Sequence, residues 1–355
     1  MNKYVKRYLI DALGGMAQGL FASLLIGTIV KTLGQQLLRI DVNPVFDFLV
    51  KAGTFAGEPH VVGAAMAVGI GFAMQVSPLV LFSLVAVGSA ANVSGGAGGP
   101  LAVLLIAIAA AEAGMLVSRK TKVDIIVTPL VTIAAGALLS VLFAGYIGKG
   151  AAAFGNLIVW ATTLKPFLMG VIISVIVGIL LTLPVSSAAI CAALGLTGLA
   201  GGAAVAGCCA QMVGFAIMSF RENKWSGLLS QGLGTSMLQM PNIVKNPRIW
   251  IPPVVASAIT GPIATCVFKM EMNGAAVSSG MGTCGLVGQI GVISGWFDPS
   301  AVAVEHGAAA LAPGAFNWLG LILVCFVLPG LISWGLGLLL RKAGWIKERD
   351  LLLSY

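Results

Sequence analysis

Three long apolar runs constrain this chain more than any other feature of its sequence. They are Val123–Tyr146, Pro166–Pro184 and Phe316–Leu340. Each is long enough to cross a bilayer as a helix, which takes about 20 residues. Only 9% of the residues are charged, whereas soluble domains carry about 25%. We therefore expect an all-α polytopic integral membrane protein, with residues 1–355 forming one membrane domain.

The basic residues predict the orientation of the helices. They cluster near the N-terminus, in the short stretch 119–122, around the segment 221–248, and after the last apolar run. The positive-inside rule places all four clusters, and both termini, in the cytoplasm. This accounts for the net charge of +8 without nucleic acid as a partner. About ten crossings satisfy the rule: 8–38, 61–75, 77–91, 100–118, 124–146, 166–184, 186–200, 203–220, 249–269 and 314–340.

The chain also shows an internal repeat, roughly 61–155 and 167–280. Each copy begins with two glycines spaced eight residues apart, Gly63/Gly71 and Gly170/Gly178, and this part closes on Val-Ser. A small-residue run follows in each copy, "GGAGG" and "GLAGG". Four crossings per copy predict a parallel repeat, and transporters built this way bind their substrate between the halves.

A glycine-rich segment follows the ninth predicted crossing. Its "GMGTCG", Gly280–Gly285, has the G-x-G-x-x-G spacing of dinucleotide-binding loops, but no βαβ pattern surrounds it. The glycine density disfavours a continuous helix, yet the segment is too apolar for a solvated loop. Non-helical backbone at membrane depth persists only where protein buries it or where it lines a cavity. We predict a re-entrant hairpin over 271–291; the alternative is tight helix packing through small residues.

Polar residues inside apolar segments are candidates for ligand binding, because they are costly in a membrane. The predicted substrate-binding side chains are Glu271, Asn273, Ser279, Thr283, Gln289, Asn92, Glu112 and Gln211, assisted by the hairpin backbone at Gly280, Gly282 and Gly285. Glu112 could instead approach the membrane interface, and Gln211 could merely bridge helices. The two histidines, His60 and His306, are expected at the outer membrane edge as surface turn residues or as functional groups.

The sequence predicts no metal, no cofactor and no catalytic nucleophile. The six cysteines lie in apolar surroundings without a C-x-x-C or a Cys/His cluster, so we expect them to pack as small apolar residues. The chain alone is therefore not expected to be an enzyme.

The hairpin "GMGTCGLVGQIG", the break "NVSGGAGGP" and the ten-helix layout together resemble one family. The chain is similar to membrane IIC-type components of the bacterial phosphotransferase system, in the branch of the perfringolysin O regulator-like proteins. The resemblance covers nearly the whole chain. It implies a permease in the bacterial cell membrane, a sugar or sugar-like small-molecule substrate, and a homodimer.

The chain departs from that family in two respects. The "GITEP"-like motif of the glucose-type IIC proteins is absent, and Glu271 is the nearest analogue of its sugar-binding glutamate by context. No stretch of the sequence is expected to hold a soluble IIA or IIB domain, so phosphoryl transfer would require separate partner proteins, such as a IIB protein.

Two other functions remain open at this stage. One is an ion-coupled carrier of a small polar or anionic solute, with Glu112 or Glu271 as proton acceptor. The other is a membrane sensor or regulator that binds a ligand without transport, with the cytoplasmic segment 221–248 as its partner surface.

Overall fold

The computed structural model describes residues 3–353 and confirms an all-α polytopic membrane protein. Within that range there is no β-strand, only one isolated antiparallel bridge between Gly198 and Met272. The helical part of the chain divides into two compact units, which meet in sequence at Ala151 and Ala152.

The first unit is built from the helices of the N-terminal part of the chain. They are α1 (Lys6–Leu38), α2 (Pro44–Ala56), α3 (Pro59–Ala73), α4 (Pro78–Gly95), α5 (Gly99–Val117) and α6 (Asp124–Thr162), which continues into the second unit. Proline stands in the first turn of α2, α3, α4 and α5, where its missing N–H costs no helical hydrogen bond. A bend of 57° separates α2 from α3.

The helices α4 and α5 form an antiparallel hairpin. Gly96 reverses the chain at φ +51°, ψ −122°, a conformation that favours glycine. At the open end, the hydroxyls of Ser77 and Ser118 are 2.8 Å apart. Each helix is about 27 Å long at 1.5 Å per residue, close to the ~30 Å hydrocarbon core. Each of the two helices is therefore long enough to match one of the predicted crossings 77–91 and 100–118.

Backbone-to-backbone contacts hold this unit together. A Cβ at Gly15 would collide with the carbonyl of Gly69, and one at Gly63 with the carbonyl of Gly88; the reciprocal substitutions meet the same carbonyls. Small residues at such crossings let helix backbones approach closely. The spaced glycines that suggest a repeat in the sequence are thus packing positions in the first unit.

The second unit surrounds one central helix. Its helices are α7 (Pro166–Thr182), α8 (Ser187–Ala193), α9 (Gly198–Met218), α10 (Phe220–Leu229), α11 (Met240–Lys245), α12 (Pro247–Val267), α13 (Cys284–Phe297), α14 (Ala301–Glu305) and α15 (Ala315–Lys342). The helix α9 is buried over nearly its whole length. Gly207 lies directly on the Ser174 carbonyl of α7, where no Cβ would fit.

Nine of the ten predicted crossings correspond to helices, with three differences. By length and composition alone, six helices could span a membrane, or seven with the bent α2–α3 pair. The predicted crossing 186–200 is the seven-residue α8 and a turn, too short to span by itself. The predicted crossing 124–146 is the first part of the 39-residue α6. The helix α2 was not predicted.

Large apolar side chains cover the outside of both units. Phe72, Phe82 and Val141 are 73%, 69% and 82% exposed, and Phe167 is 59% exposed. A soluble protein rarely exposes so much contiguous apolar surface. The exposed faces suit a lipid environment and confirm the membrane class.

Candidate functional site

The candidate site forms where two segments of the second unit interrupt their helices. After α12 the chain leaves helical geometry at Lys269, whose φ is +45°. Met272 then pairs with Gly198 at the start of α9, with N–H to carbonyl distances of 3.1 and 3.0 Å. Gly198 has φ +65°, which a residue with a Cβ rarely adopts. The broken segment is thereby fixed to the N-terminus of the central helix.

The second interrupted segment lies between α7 and α9. It contains the short α8 and a turn at Gly195, and it contacts the glycine-rich segment twice. The Ser187 hydroxyl donates to the Gly280 carbonyl at 2.7 Å, and the Ser279 hydroxyl donates to the Leu196 carbonyl at 2.6 Å. The two broken segments thus satisfy each other's backbone groups, as non-helical chain at membrane depth requires.

A cavity of about 470 Å³ lies beside this junction. Its size falls in the range of small-molecule sites, about 300–1,000 Å³. Its polar side chains are Thr162, Thr197, Glu271, Asn273 and His306. The first turn of α9 also lines it, and the N–H groups of a first turn have no partner within the helix.

Glu271 and Asn273 form the polar centre of the cavity. Asn273 is 3% exposed; its amide nitrogen donates to Glu271 Oε2 at 2.9 Å, and its amide oxygen accepts the Gly198 N–H at 3.2 Å. Both ends of the amide are therefore assigned by their partners, since a carboxylate only accepts and an N–H only donates. Among the described residues, none donates to Glu271 Oε1, which leaves that oxygen for a ligand.

Thr197 and His306 extend the polar surface. The Thr197 hydroxyl lies 3.4 Å from His306 Nδ1, and His306 is exposed at the mouth of the cavity. The cavity offers acceptors at Glu271, and groups that both donate and accept at Thr197 and His306. A ligand with several hydroxyl groups, each of which both donates and accepts, matches such a mixed lining.

Three of the predicted binding residues lie in the protein interior rather than in the cavity lining. Ser279 and Thr283 are fully buried and Gln289 is 5% exposed. Thr283 donates to the sulfur of Met212 at 3.5 Å, and the Gln289 amide donates to the sulfur of Cys209 at 3.1 Å. The partners of Thr283 and Gln289 belong to α9, and that of Ser279 is Leu196, just before α9.

The hairpin glycines make close contacts with neighbouring chain. A Cβ on Gly280 would lie 2.6 Å from the carbonyl of Ser187, and one on Gly282 would lie 2.6 Å from Cys208 Cβ. Gly282 and Gly285 have φ of +54° and +51°. These contacts are of the kind expected for packing through small residues.

Gln211 bridges helices at the other end of α9. It is fully buried; its oxygen accepts from the Trp250 indole at 2.8 Å and from the Thr182 hydroxyl at 3.3 Å, and its nitrogen donates to the Ser257 hydroxyl at 3.3 Å. Its hydrogen bonds therefore connect α7, α9 and α12.

Asn92 and Glu112 belong to the first unit. The Asn92 amide donates to the Pro59 carbonyl at 2.7 Å. Glu112 forms a half-exposed ion pair with Arg7, with a nitrogen–oxygen distance of 2.9 Å. Its partner comes from the N-terminal basic cluster, which fits a position near the membrane interface.

Sequence reasoning did not include Thr197 and His306 among the binding residues. His306 follows the five-residue α14 in a loop, and its sequence neighbours, with Glu305 adjacent, fit a surface turn as well as a functional group. Thr197 looks like one more small polar residue in an apolar run. The rarity of histidine, with two in the whole chain, was the only available signal.

The described residues contain no group of three or more His, Cys, Asp or Glu that could hold a metal ion. The six cysteines are free, and five of them are buried. The absence of a cofactor and of a metal stays a prediction.

Comparisons with known proteins give one match. The family model described as "Phosphotransferase system, EIIC" matches residues 10–353, nearly the whole chain. No curated protein and no solved structure matches.

Proposed function

The chain belongs to the phosphotransferase system EIIC family, and from this premise we propose that it carries a sugar or sugar-like solute through the cavity beside Glu271. Membership identifies it as a membrane transport component of that system, in the bacterial plasma membrane. The substrate and the residues that bind it are the proposal.

One observation carries the proposal: the junction of two broken segments leaves a carboxylate oxygen free in a cavity of ligand size. Glu271 is held in place by Asn273, and Asn273 is held by the backbone of α9. A carboxylate oriented in this way accepts hydrogen bonds from two hydroxyls of a sugar without having to be ordered on binding.

The other cavity groups have distinct roles in this proposal. Thr197 and His306 bind further hydroxyls near the mouth, and the first turn of α9 donates N–H groups. Ser279, Thr283, Gln289 and the three hairpin glycines act indirectly, because they hold the Glu271 segment against α8 and α9. Gln211 holds α7, α9 and α12 of the same unit together through its hydrogen bonds.

Phosphorylation of the substrate is assigned to a separate IIB protein at the cytoplasmic side. The four basic clusters, including both termini, lie on that side in the proposed topology. We further propose a homodimer, and a place in the branch of the perfringolysin O regulator-like proteins. Asn92 and Glu112 belong to the first unit and do not line this cavity; their contact with substrate stays a prediction from the sequence, which the proposed site does not include.

Ligand binding by a Glu271→Gln variant tests the proposed site. The substitution keeps the shape but removes the charge of the acceptor. Charge-assisted hydrogen bonds contribute about 1.5–3 kcal/mol, so sugar affinity should fall by about ten- to a hundredfold. Isothermal titration of the purified protein with a panel of hexoses, hexitols and amino sugars measures the change.

The matched control is Asp298→Asn, an exposed carboxylate in the loop after α13. It should bind like the wild type. If Glu271→Gln also binds like the wild type, or if no saccharide binds the wild type, the proposed site is wrong.

A further inference from the structure

A second, smaller cavity also has Glu271 in its lining. It has a volume of about 150 Å³ and is lined by Phe268, Lys269, Trp296, Leu311 and Asn317, together with Glu271 itself. Glu271 is the residue it shares with the larger cavity. Its volume is below the roughly 300–1,000 Å³ of sites that hold a whole small molecule, so it suits one part of a larger ligand.

The aromatic walls of this cavity are held rigidly. The ring of Phe268 packs on Phe316 with centroids 4.9 Å apart, and Trp296 packs edge-on against Trp318, also at 4.9 Å. Trp296 is only 4% exposed, and its carbonyl accepts the Leu311 N–H at 2.7 Å. Side chains fixed in this way bind the apolar face of a ring without losing much conformational entropy.

The polar side chains that line the second cavity have a net charge of zero. Lys269 is positive, Glu271 is negative, and Asn317 is a neutral amide. A cavity with no net charge favours a neutral ligand with several hydroxyls over an ion. Aromatic walls with a few convergent polar groups are the usual composition of a small-molecule site.

We infer that the second cavity is a further saccharide subsite, in which the Phe268 and Trp296 rings and the Lys269 and Asn317 side chains bind a second sugar ring. The substrate is then a disaccharide or another glycoside, with Glu271 between its two rings. This inference rests on the proposed function, since the larger cavity must bind the first ring.

The test compares monosaccharides with disaccharides that contain them. The full chain is purified in an amine-oxide detergent, because glycoside detergents would occupy the same sites. Glucose, galactose, mannose and N-acetylglucosamine are each titrated beside disaccharides that carry them at either end. The wild type should bind one disaccharide at least tenfold more tightly than its component monosaccharides, which corresponds to about 1.4 kcal/mol.

A variant that fills the second cavity separates the two subsites. Leu311 lines the cavity through an exposed side chain, so Leu311→Trp should fill it with little effect on folding. This variant should bind the monosaccharide within twofold of the wild type and lose the disaccharide advantage. Leu319→Trp on α15 is the control: Leu319 is 49% exposed, and the Leu311-lined cavity does not include it.

Lys269→Met is a second test of the subsite, and it does not depend on filling the cavity. It keeps the length of the side chain and removes its charge and donors. Disaccharide affinity should fall about tenfold and monosaccharide affinity should stay unchanged.

The outcomes distinguish the inference from the proposed function. If monosaccharides bind and no disaccharide binds better, or if Leu311→Trp keeps the disaccharide advantage, the second subsite is wrong and the proposed function stands. If no saccharide binds the wild type, both are wrong.

Discussion

At the scale of single residues, two polar side chains that look alike in the sequence have opposite environments. Asn273 and Gln289 both lie in the glycine-rich segment. Asn273 lines the cavity and orients Glu271, whereas Gln289 is bonded to the sulfur of Cys209. The sequence marks both residues as candidates for function, because polar side chains in a membrane segment are costly and are usually functional. Only the packing against α9 decides which of them line the cavity.

Gly282→Ala should destabilise the protein by about 2–5 kcal/mol. The left-handed backbone at φ +54° costs an alanine about 1–2 kcal/mol, and the added Cβ would lie 2.6 Å from Cys208 Cβ, an overpacking that costs about 1–3 kcal/mol. A thermal melt of the purified protein measures the loss.

Gly335→Ala is the matched control for that substitution. It lies in α15, where an added Cβ meets open space. It should be neutral or stabilise the helix by up to about 1 kcal/mol. Equal melting temperatures for the two variants would show that the hairpin is not tightly packed.

At the scale of elements, the sequence predicts helices better than it predicts their ends. The helix α2 was not predicted because Asp47 and Lys51 interrupt its apolar pattern; the structure pairs them at 2.6 Å, one helical turn apart. The predicted crossing 186–200 is short because its turn at Gly195 is left-handed. A run of apolar residues predicts that a segment lies in the membrane. It does not predict whether the helix there is continuous, because a broken helix at that depth is equally apolar. Only the glycines indicate the break.

The C-terminal tail is an element whose docking shows only in the structure. The amides of Asn223 and Gln239 donate to the Leu351 carbonyl at 2.7 and 3.0 Å, and the Asn242 amide donates to the Leu352 carbonyl at 2.9 Å. The Leu351 side chain is fully buried, whereas that of Leu352 is 41% exposed. The tail thus holds the segment between α9 and α12 through its own backbone.

Leu351→Asp should release the tail, because it places a charge in a fully buried site and removes a leucine whose loss alone costs about 2–5 kcal/mol. To follow this, Lys347, which is exposed, is replaced by a cysteine that carries a fluorescent label. Limited proteolysis should then cut off the released tail, and the protein should lose the label. Leu352→Asp, at the neighbouring exposed position, should keep the label. Equal proteolysis of the two variants would contradict the docked tail.

At the scale of the whole molecule, the charge distribution predicts the topology. Cysteines at Lys120 and Lys347 should react with a membrane-impermeant reagent only from the cytoplasm, because the basic clusters stay inside. A cysteine at the exposed Ala310, in the loop before α15, should react only from outside. Labelling of intact cells and of inverted vesicles measures both. Outside labelling at Lys120 would contradict the orientation and the parallel repeat together.

Transport could be driven by phosphotransfer or by an ion gradient, and the positions of Glu112 and Glu271 bear on the second mechanism. An ion-coupled carrier needs a carboxyl that exchanges its proton during the cycle. Glu112 is already held in an ion pair with Arg7 at 2.9 Å and does not line the cavity. Glu271 lies in the cavity without a basic partner at hydrogen-bond distance among the described residues, so it is the better candidate for such a role.

Two uptake assays in proteoliposomes distinguish phosphotransfer from ion coupling. With phosphoenolpyruvate and the partner proteins, we expect the saccharide to accumulate as its phosphate. With a proton gradient alone, we expect no accumulation above the level of liposomes that lack the protein. Glu112→Gln should leave phosphorylating uptake within about fivefold of the wild type, since exposed ion pairs contribute about 1 kcal/mol or less, whereas Glu271→Gln should reduce it about tenfold or more. Accumulation of unmodified saccharide under the gradient alone, abolished by Glu271→Gln, would instead identify an ion-coupled carrier with Glu271 as its proton acceptor.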